Sequence, residues 1–221
     1  MMELSLKEKF LILSIEPDKG KILLMGNQLT YGLACAILFE LKIKSIVDFS
    51  DSKLLLKVYR PSTDKVINKA VKLLRNARRN RSLNSWIMRF SYRANSFLRE
   101  IIRDLLANNI LRKDRRKFLN IIPYNRYFFL QKNVRNQIIL SLQDSIYTGG
   151  FTKNEENRML LGLIYACGLE RVMVSDKSEK KVLTQKLKEL IEKNEAYSEL
   201  KPVLKKLKMN IAHSRSSPTG V

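Results

Sequence analysis

The amino-acid sequence predicts a mainly α fold, a compact multi-helix domain with short β-hairpins and locally winged-helix-like units. Three observations lead to that expectation. Apolar residues recur every three or four positions along most of the 221 residues. Two short stretches instead pair extended apolar runs across polar turns. The composition, 45% hydrophobic and 29% charged, is that of a globular chain, and the length suffices to bury a core without disulfide or metal.

The elements follow in order. Leu4 to Ile15 carries apolar residues at 4, 6, 10, 11, 13 and 15, and Ser5 followed by Glu8 has the form of a capping box. Pro17-Asp18-Lys19-Gly20 is a turn, with Lys21 to Met25 a short extended piece after it. Leu29 to Ile43 is expected to be a buried helix in which Gly32, Ala34 and Ala36 allow a neighbour close approach. Ile46 to Phe49 and Leu54 to Tyr59, joined by Ser50-Asp51-Ser52, form a first hairpin, and Thr63 to Ala77 a helix led in by Pro61 and Ser62.

A basic link, Arg78 to Ser82, leads to Trp86 to Asn108, the strongest amphipathic pattern in the chain. Phe118 to Leu130 is apolar and aromatic on both sides of Pro123-Tyr124-Asn125-Arg126, which predicts a second hairpin turning there. Helices are expected over Val134 to Tyr147, stopped by Gly149-Gly150, and over Glu155 to Leu169, capped by Thr152. Two charged helices, Ser178 to Asn194 and Ser198 to Met209, complete the chain. One domain over residues 1–211 accommodates all of this, with 212–221 a disordered tail.

Charge is the abnormal quantity. Lys and Arg number 42 against 21 Asp and Glu, for a net charge of +21. Residues 69–135 hold 18 of those cations and 3 acids, a net of +15 in under a third of the length. On a wheel drawn for one continuous helix, Arg89, Arg93, Arg99 and Arg103 fall within about 120° of one another. Phe90, Ala94, Phe97, Leu98, Ile101 and Leu105 take the opposite arc. Arg78, Arg79 and Arg81 precede this helix, and Arg112, Lys113, Arg115, Arg116 and Lys117 follow it. Arginine suits phosphate because its planar fork donates two parallel hydrogen bonds and stays charged. An anion-binding surface is therefore expected, although Glu100 and Asp104 lie beside the stripe and partly offset it.

Several function classes drop out. The single histidine, His213, stands in a polar segment, which removes Ser-His-Asp and Cys-His catalysis and multi-histidine metal sites. Cys35 and Cys167 lie in apolar helical patterns and read as core thiols. No Gly-rich loop ends in Gly-Lys-Ser/Thr. Asp48 and Asp51 flank a turn, and Glu155-Glu156 opens a helix, where carboxylates answer the macrodipole. The longest apolar run, Met159 to Leu169, is eleven residues, short of the ~20 that span a bilayer. No signal-peptide pattern opens the chain. A soluble, cytoplasmic protein with no enzymatic activity, no cofactor and no metal is expected.

Three partner classes suit the basic surface. A helix followed by a hairpin is the layout of a winged helix, so nucleic acid is one. That helix face offers few Asn, Gln, Ser or Thr for base readout, and Ile121, Ile122, Tyr124, Tyr127, Phe128 and Phe129 are large for a wing touching DNA. An anionic phospholipid surface is the second, with the hairpin anchoring in the interface or covered by another subunit in a homo-oligomer. An acidic protein is the third.

Leu4-Ser5-Leu6-Lys7-Glu8-Lys9-Phe10-Leu11-Ile12-Leu13, then Lys19-Gly20, then Tyr31 to Leu41 (YGLACAILFEL) resembles the opening of the Golgi phosphoprotein 3 family. Asp104-Leu105-Leu106 with Ile110-Leu111 resembles the end of that family's central basic helix, and Arg158 to Ala166 (RMLLGLIYA) its late core helix. The resemblance runs in order over about residues 4–175. It implies a helical, peripheral membrane protein that binds phosphatidylinositol 4-phosphate on a basic face. It also implies a hydrophobic hairpin used in oligomer contacts, the cytosolic tails of membrane proteins as partners, and no catalysis. The family's headgroup pocket uses a tryptophan and three arginines, and the aligned positions here are Met25, Ala34, Asn95 and Leu98. The short chain, without the family's adaptor features, makes a compact bacterial-type member the form of the family that the resemblance implies.

Overall fold

The computed structural model describes residues 3–24, 26–50, 53–57, 59, 61–77, 81–119, 121–174 and 176–216. Met25, Asp51, Ser52, Arg78 and Arg79 lie outside them, as do residues 217–221 of the expected tail.

The expected mainly α architecture with short hairpins holds. At its centre is α2 (Asn27–Ile43), whose residues from Leu33 to Leu41 are buried without interruption. A helix apolar all round belongs in an interior. Around it pack α1 (Leu6–Leu13), α3 (Lys65–Arg75), α4 (Leu83–Tyr92), α5 (Ala94–Ala107), α7 (Glu155–Cys167) and α9 (Lys201–Ser216). Helix α6 (Asn133–Thr148) lies on α1 and α7, and α8 (Lys177–Lys193) on α7. Close approach to α2 occurs at Gly32, where a Cβ would stand 2.6 Å from the Phe10 ring and 2.8 Å from the Cys167 sulfur. Only glycine fits between those two neighbours.

Local sequence explains the boundaries. Ser5 and Glu8 form the expected capping box of α1. The Asp64 carboxylate accepts from the Val66 and Ile67 amides to start α3. Asn154, rather than the expected Thr152, caps α7 by accepting from the Asn157 amide, because Thr152 belongs to the preceding single turn Gly150–Thr152. Asp176 and Glu179 make a second capping box on α8. Helix α9 continues to Ser216, past residue 211, where the sequence reading began the tail.

Two antiparallel pairs complete the described elements. In the first, β1 (Val47–Ser50) runs against β2 (Lys53–Leu56) with Val47 opposite Leu56. In the second, β3 (Leu111–Phe118) runs against β4 (Ile122–Phe129). This hairpin differs from expectation in its turn and in its first strand. The chain reverses between Phe118 and Ile122, and Pro123 to Arg126 sits inside β4 opposite Lys117 to Asp114. Arg112 to Lys117, expected only as cations following the helix and preceding the hairpin, is strand. Proline is tolerated in β4 because a two-stranded ribbon has only edge strands.

A buried ion cluster ties the N-terminal helix to the centre. The Lys7 ammonium donates to Glu40 Oε1 at 2.8 Å, Asp64 Oδ2 at 2.6 Å and Ser5 Oγ at 3.0 Å, and the Lys7 amide donates to Glu40 Oε2 at 3.2 Å. Burial by itself would lower the lysine's pKa, but the two carboxylates outweigh it and hold the ammonium above its ordinary value. Burial pushes the Glu40 carboxyl up, and Lys7 only partly opposes it.

Candidate functional site

The expected basic helix is two helices. Arg93 ends α4 and precedes α5, with φ −100° and ψ 1°. Its amide donates to Phe90 O three residues back, in place of the usual four. The intervening residues Ser91, Tyr92, Asn95 and Ser96 are weak helix formers, and Ser91 Oγ donates to Met88 O, competing with the backbone ladder. The apolar spacing nevertheless carries through the break. Phe90, Ala94, Phe97, Ile101 and Leu105 are buried, while Leu98 is half-buried against the core.

The four arginines are not equivalent. Arg89 is half-buried, with its guanidinium 5.6 Å from the Trp86 ring centroid. Arg103 is exposed but pairs with Glu100 and, at 3.7 Å, with Asp104. Glu100 is also held by Lys69 at 2.6 Å, and that hydrogen bond, with Arg103 adding to it, keeps its carboxyl below the usual range. Arg93 and Arg99 are exposed, and neither has an ion-pair partner among the described residues. The four guanidiniums therefore do not form one continuous free stripe. The wheel assumed an unbroken helix and counted every arginine as free.

The second hairpin concentrates what the helices disperse. Side chains alternate between its faces. The register puts Arg112, Asp114 and Arg116 beside Phe128, Arg126 and Tyr124 on one face, and Lys113, Arg115 and Lys117 beside Tyr127, Asn125 and Pro123 on the other. Arg112, Lys113, Arg115, Arg116 and Lys117 are all exposed. Arg112 and Arg116 cover the Phe128 ring at 4.8 and 5.8 Å, and Arg126 covers Tyr124 at 4.9 Å. Guanidinium stems thus shield the half-buried aromatics of the ribbon while their charged ends stay in water. Asp114 pairs with Arg116 at 3.1 Å and is the one acid on the two strands.

The expected hydrophobic hairpin residues divide in two. Tyr127 is buried and half-buried Phe128 lies against Gly20, so these two fasten the ribbon, while Tyr124 is half-buried beneath Arg126. Ile121 and Ile122 are 79% and 60% exposed and stand at the tip. Leu119, which the sequence reading passed over, is 75% exposed beside them. It adopts φ 49°, the left-handed region that a leucine enters at a cost. At the other end the ribbon is seated on the turn over residues 16–21. The Tyr127 amide donates to Gly20 O at 2.8 Å, and at Gly20, φ 60°, a Cβ would stand 2.9 Å from both Tyr127 N and Tyr127 O. The base is therefore fixed in the fold while the apolar tip faces solvent.

The positions aligned to the family's headgroup pocket do not carry cations. Ala34 is fully buried in α2, Asn95 is exposed in the first turn of α5, and Leu98 is half-buried. Both cysteines are fully buried, which pushes their thiols up and away from reactivity. Among the described residues no group of three or more His, Cys, Asp or Glu is placed to hold a metal. No described helix is long and apolar enough to cross a membrane.

These features define a mainly helical protein with one shared core and two antiparallel hairpins, with exposed cations on the α4–α5 pair and on the β3–β4 ribbon as well as on later helices. The chain belongs to the Golgi phosphoprotein 3 (GPP34) family, whose model matches residues 6–210. That family is non-catalytic, and its fold is consistent, in general terms, with a peripheral lipid-binding role. Among curated proteins, none matches this chain.

Proposed function

We propose that this protein docks on the cytoplasmic face of anionic membranes, with the tip of the β3–β4 hairpin entering the interface and its basic strand holding phosphate groups at the surface. The observation that carries this reading is the juxtaposition of Leu119, Ile121 and Ile122, each at least 60% exposed, with the exposed cations of β3. An amphipathic edge of this kind suits the boundary between headgroups and acyl chains. Transferring three such side chains from water into an apolar medium is worth about 3–6 kcal/mol. Lys113, Arg115 and Lys117 add about 1 kcal/mol each near an anionic leaflet. Arg93 and Arg99 extend the attraction; Arg89 and Arg103, already engaged, contribute less.

Phosphatidylinositol 4-phosphate is the headgroup that the family relationship suggests. With Ala34, Asn95 and Leu98 at the aligned pocket positions, charge density rather than a single pocket governs selection here. The same apolar tip suits contact with a second copy of the chain, so self-association in the absence of lipid accompanies the reading. The test is co-sedimentation with phosphatidylcholine, phosphatidylserine and phosphatidylinositol 4-phosphate vesicles, with duplex DNA as soluble competitor. Salt-sensitive pelleting with both anionic vesicles and none with phosphatidylcholine is expected. Binding to DNA with no pelleting on any vesicle would replace this reading with nucleic-acid binding through the same cations.

A further inference from the structure

A second concentration of unpaired cations lies away from the hairpin. The hairpin leans on α5, whereas α8 packs on α7 and on the single turn Glu170–Val172. Between that turn and the first half of α8 is a cavity of about 510 Å³, lined by Arg171, Lys177, Lys180, Lys181, Thr184 and Gln185. Its volume falls in the ~300–1,000 Å³ range of small-molecule sites. Arg171, Lys177 and Lys181 are exposed and Lys180 is half-buried. None of the four takes part in an ion pair among the described residues, although thirteen such pairs occur elsewhere.

The nearby acids are committed to other work. Asp176 and Glu179 close the capping box of α8, so the helix's first amides are occupied and the cavity's character comes from side chains. Glu189 accepts from the Gln185 amide at 2.6 Å. Glu170 is 4% exposed and lies behind the cavity, with Lys180, Lys208 and Thr184 near its carboxylate. Burial pushes its carboxyl up, which weakens it as a counter-charge. Lys177 and Lys181, four apart on one helix, repel each other and destabilise α8 for as long as nothing anionic sits between them.

We infer that the cavity formed by Arg171, Lys177, Lys180 and Lys181 is a binding site for a ligand bearing two or more phosphate groups. Four cations around one concavity exceed what a single phosphate would balance. Arg171 offers a planar fork, and the lysines offer three point charges of adjustable reach. Thr184 adds a hydroxyl to the lining. The phosphates belong either to a soluble polyphosphate or to the headgroup of a lipid.

Isothermal titration with inorganic tripolyphosphate tests the first source. For the second, phosphatidylcholine vesicles with and without phosphatidic acid are pelleted with a full-length variant whose hairpin tip is L119S/I121S/I122S, so that the hairpin contributes nothing apolar. In whichever arm binds, K177Q/K181Q is expected to weaken affinity about tenfold or more, since two charge-assisted contacts are lost. K205Q/K206Q, which removes the same charge from exposed positions of α9, is expected to stay within about twofold, as screened surface charge does. Circular dichroism confirms that both variants fold. Equal weakening by the two variants, or no binding in either arm, overturns the assignment.

Discussion

Replacing Lys7 by Met is the most informative perturbation of the core. The ammonium is 4% exposed and the Glu40 carboxylate 3%, so solvent cannot take over when one is removed. In the variant, Asp64 still accepts from two amides at 3.0 Å and is 24% exposed, so it loses little. Glu40 keeps only the residue 7 amide, with Lys44 at 4.0 Å. The cost therefore falls on one buried, nearly unpaired carboxylate, about 3–5 kcal/mol. Such a loss is a large share of the ~5–15 kcal/mol that holds a typical domain folded.

The pH dependence supplies a second signature. Glu40 already titrates above its ordinary value, and losing Lys7 raises it further. A carboxyl raised in the folded state stabilises the fold below its unfolded pKa, and that contribution is lost as pH rises through the folded one. Lys7→Met should therefore be least damaging near pH 5 and worsen toward pH 8, by up to ~1.4 kcal/mol per unit. Adding Glu40→Gln should recover part of the loss at pH 8 and little at pH 5. Urea unfolding followed by Trp86 fluorescence reads all of this, because the sole tryptophan is 4% exposed. A loss under ~1 kcal/mol that is flat with pH would refute the assignment of a buried, charge-dependent cluster.

Other predictions concern single contacts. Asp48 is held at about 2 by hydrogen bonds from Lys42 and Lys57 and from the Phe49 amide; its contribution is present above the unfolded value of 3.8 and lost as pH falls through about 2. An NMR titration of its carboxyl should show that low midpoint, and a midpoint near 3.8 would deny the contacts. Gly20→Ala should cost about 2 kcal/mol or more, from left-handed strain plus the clash with Tyr127 backbone. Faster hydrogen exchange at the Tyr127 amide would report the loosened hairpin; unchanged exchange would mean that the seat does not depend on Gly20. Arg99→Glu should weaken vesicle binding more than Arg103→Glu, because Arg103 is already paired; equal effects would restore the uniform four-arginine stripe.

Much of this architecture was legible in the residues, and the failures have physical causes. Ser5 with Glu8, the unbroken apolar run of α2, and the glycines after α6 marked their elements closely because each acts within a turn or two of chain, whereas the stop of α7 at Gly168 lies inside the helix expected to reach Leu169. The break at Arg93 was hidden because apolar spacing persists across it, and spacing reports which side is buried, not whether the ladder is continuous. Strand β3 was hidden because its exposed positions are cationic on both faces and the ribbon buries only its base. The Lys7–Glu40–Asp64 cluster joins residues 33 and 57 positions apart, a distance at which sequence periodicity carries no signal. The hairpin's apolar content was visible, whereas its division into a buried base and an exposed tip depended on the register and on Gly20.

The most direct test of the membrane reading places a tryptophan at the tip. An Ile121→Trp variant is mixed with anionic vesicles whose acyl chains carry bromine quenchers at graded depths, and the buried Trp86 of the parent protein serves as the background. Quenching strongest for bromines near the headgroup boundary, with a blue shift of the introduced tryptophan and no change in Trp86, is the predicted result. A variant that pellets with the vesicles while the emission of its introduced tryptophan stays red and unquenched would show that the hairpin tip does not enter the membrane.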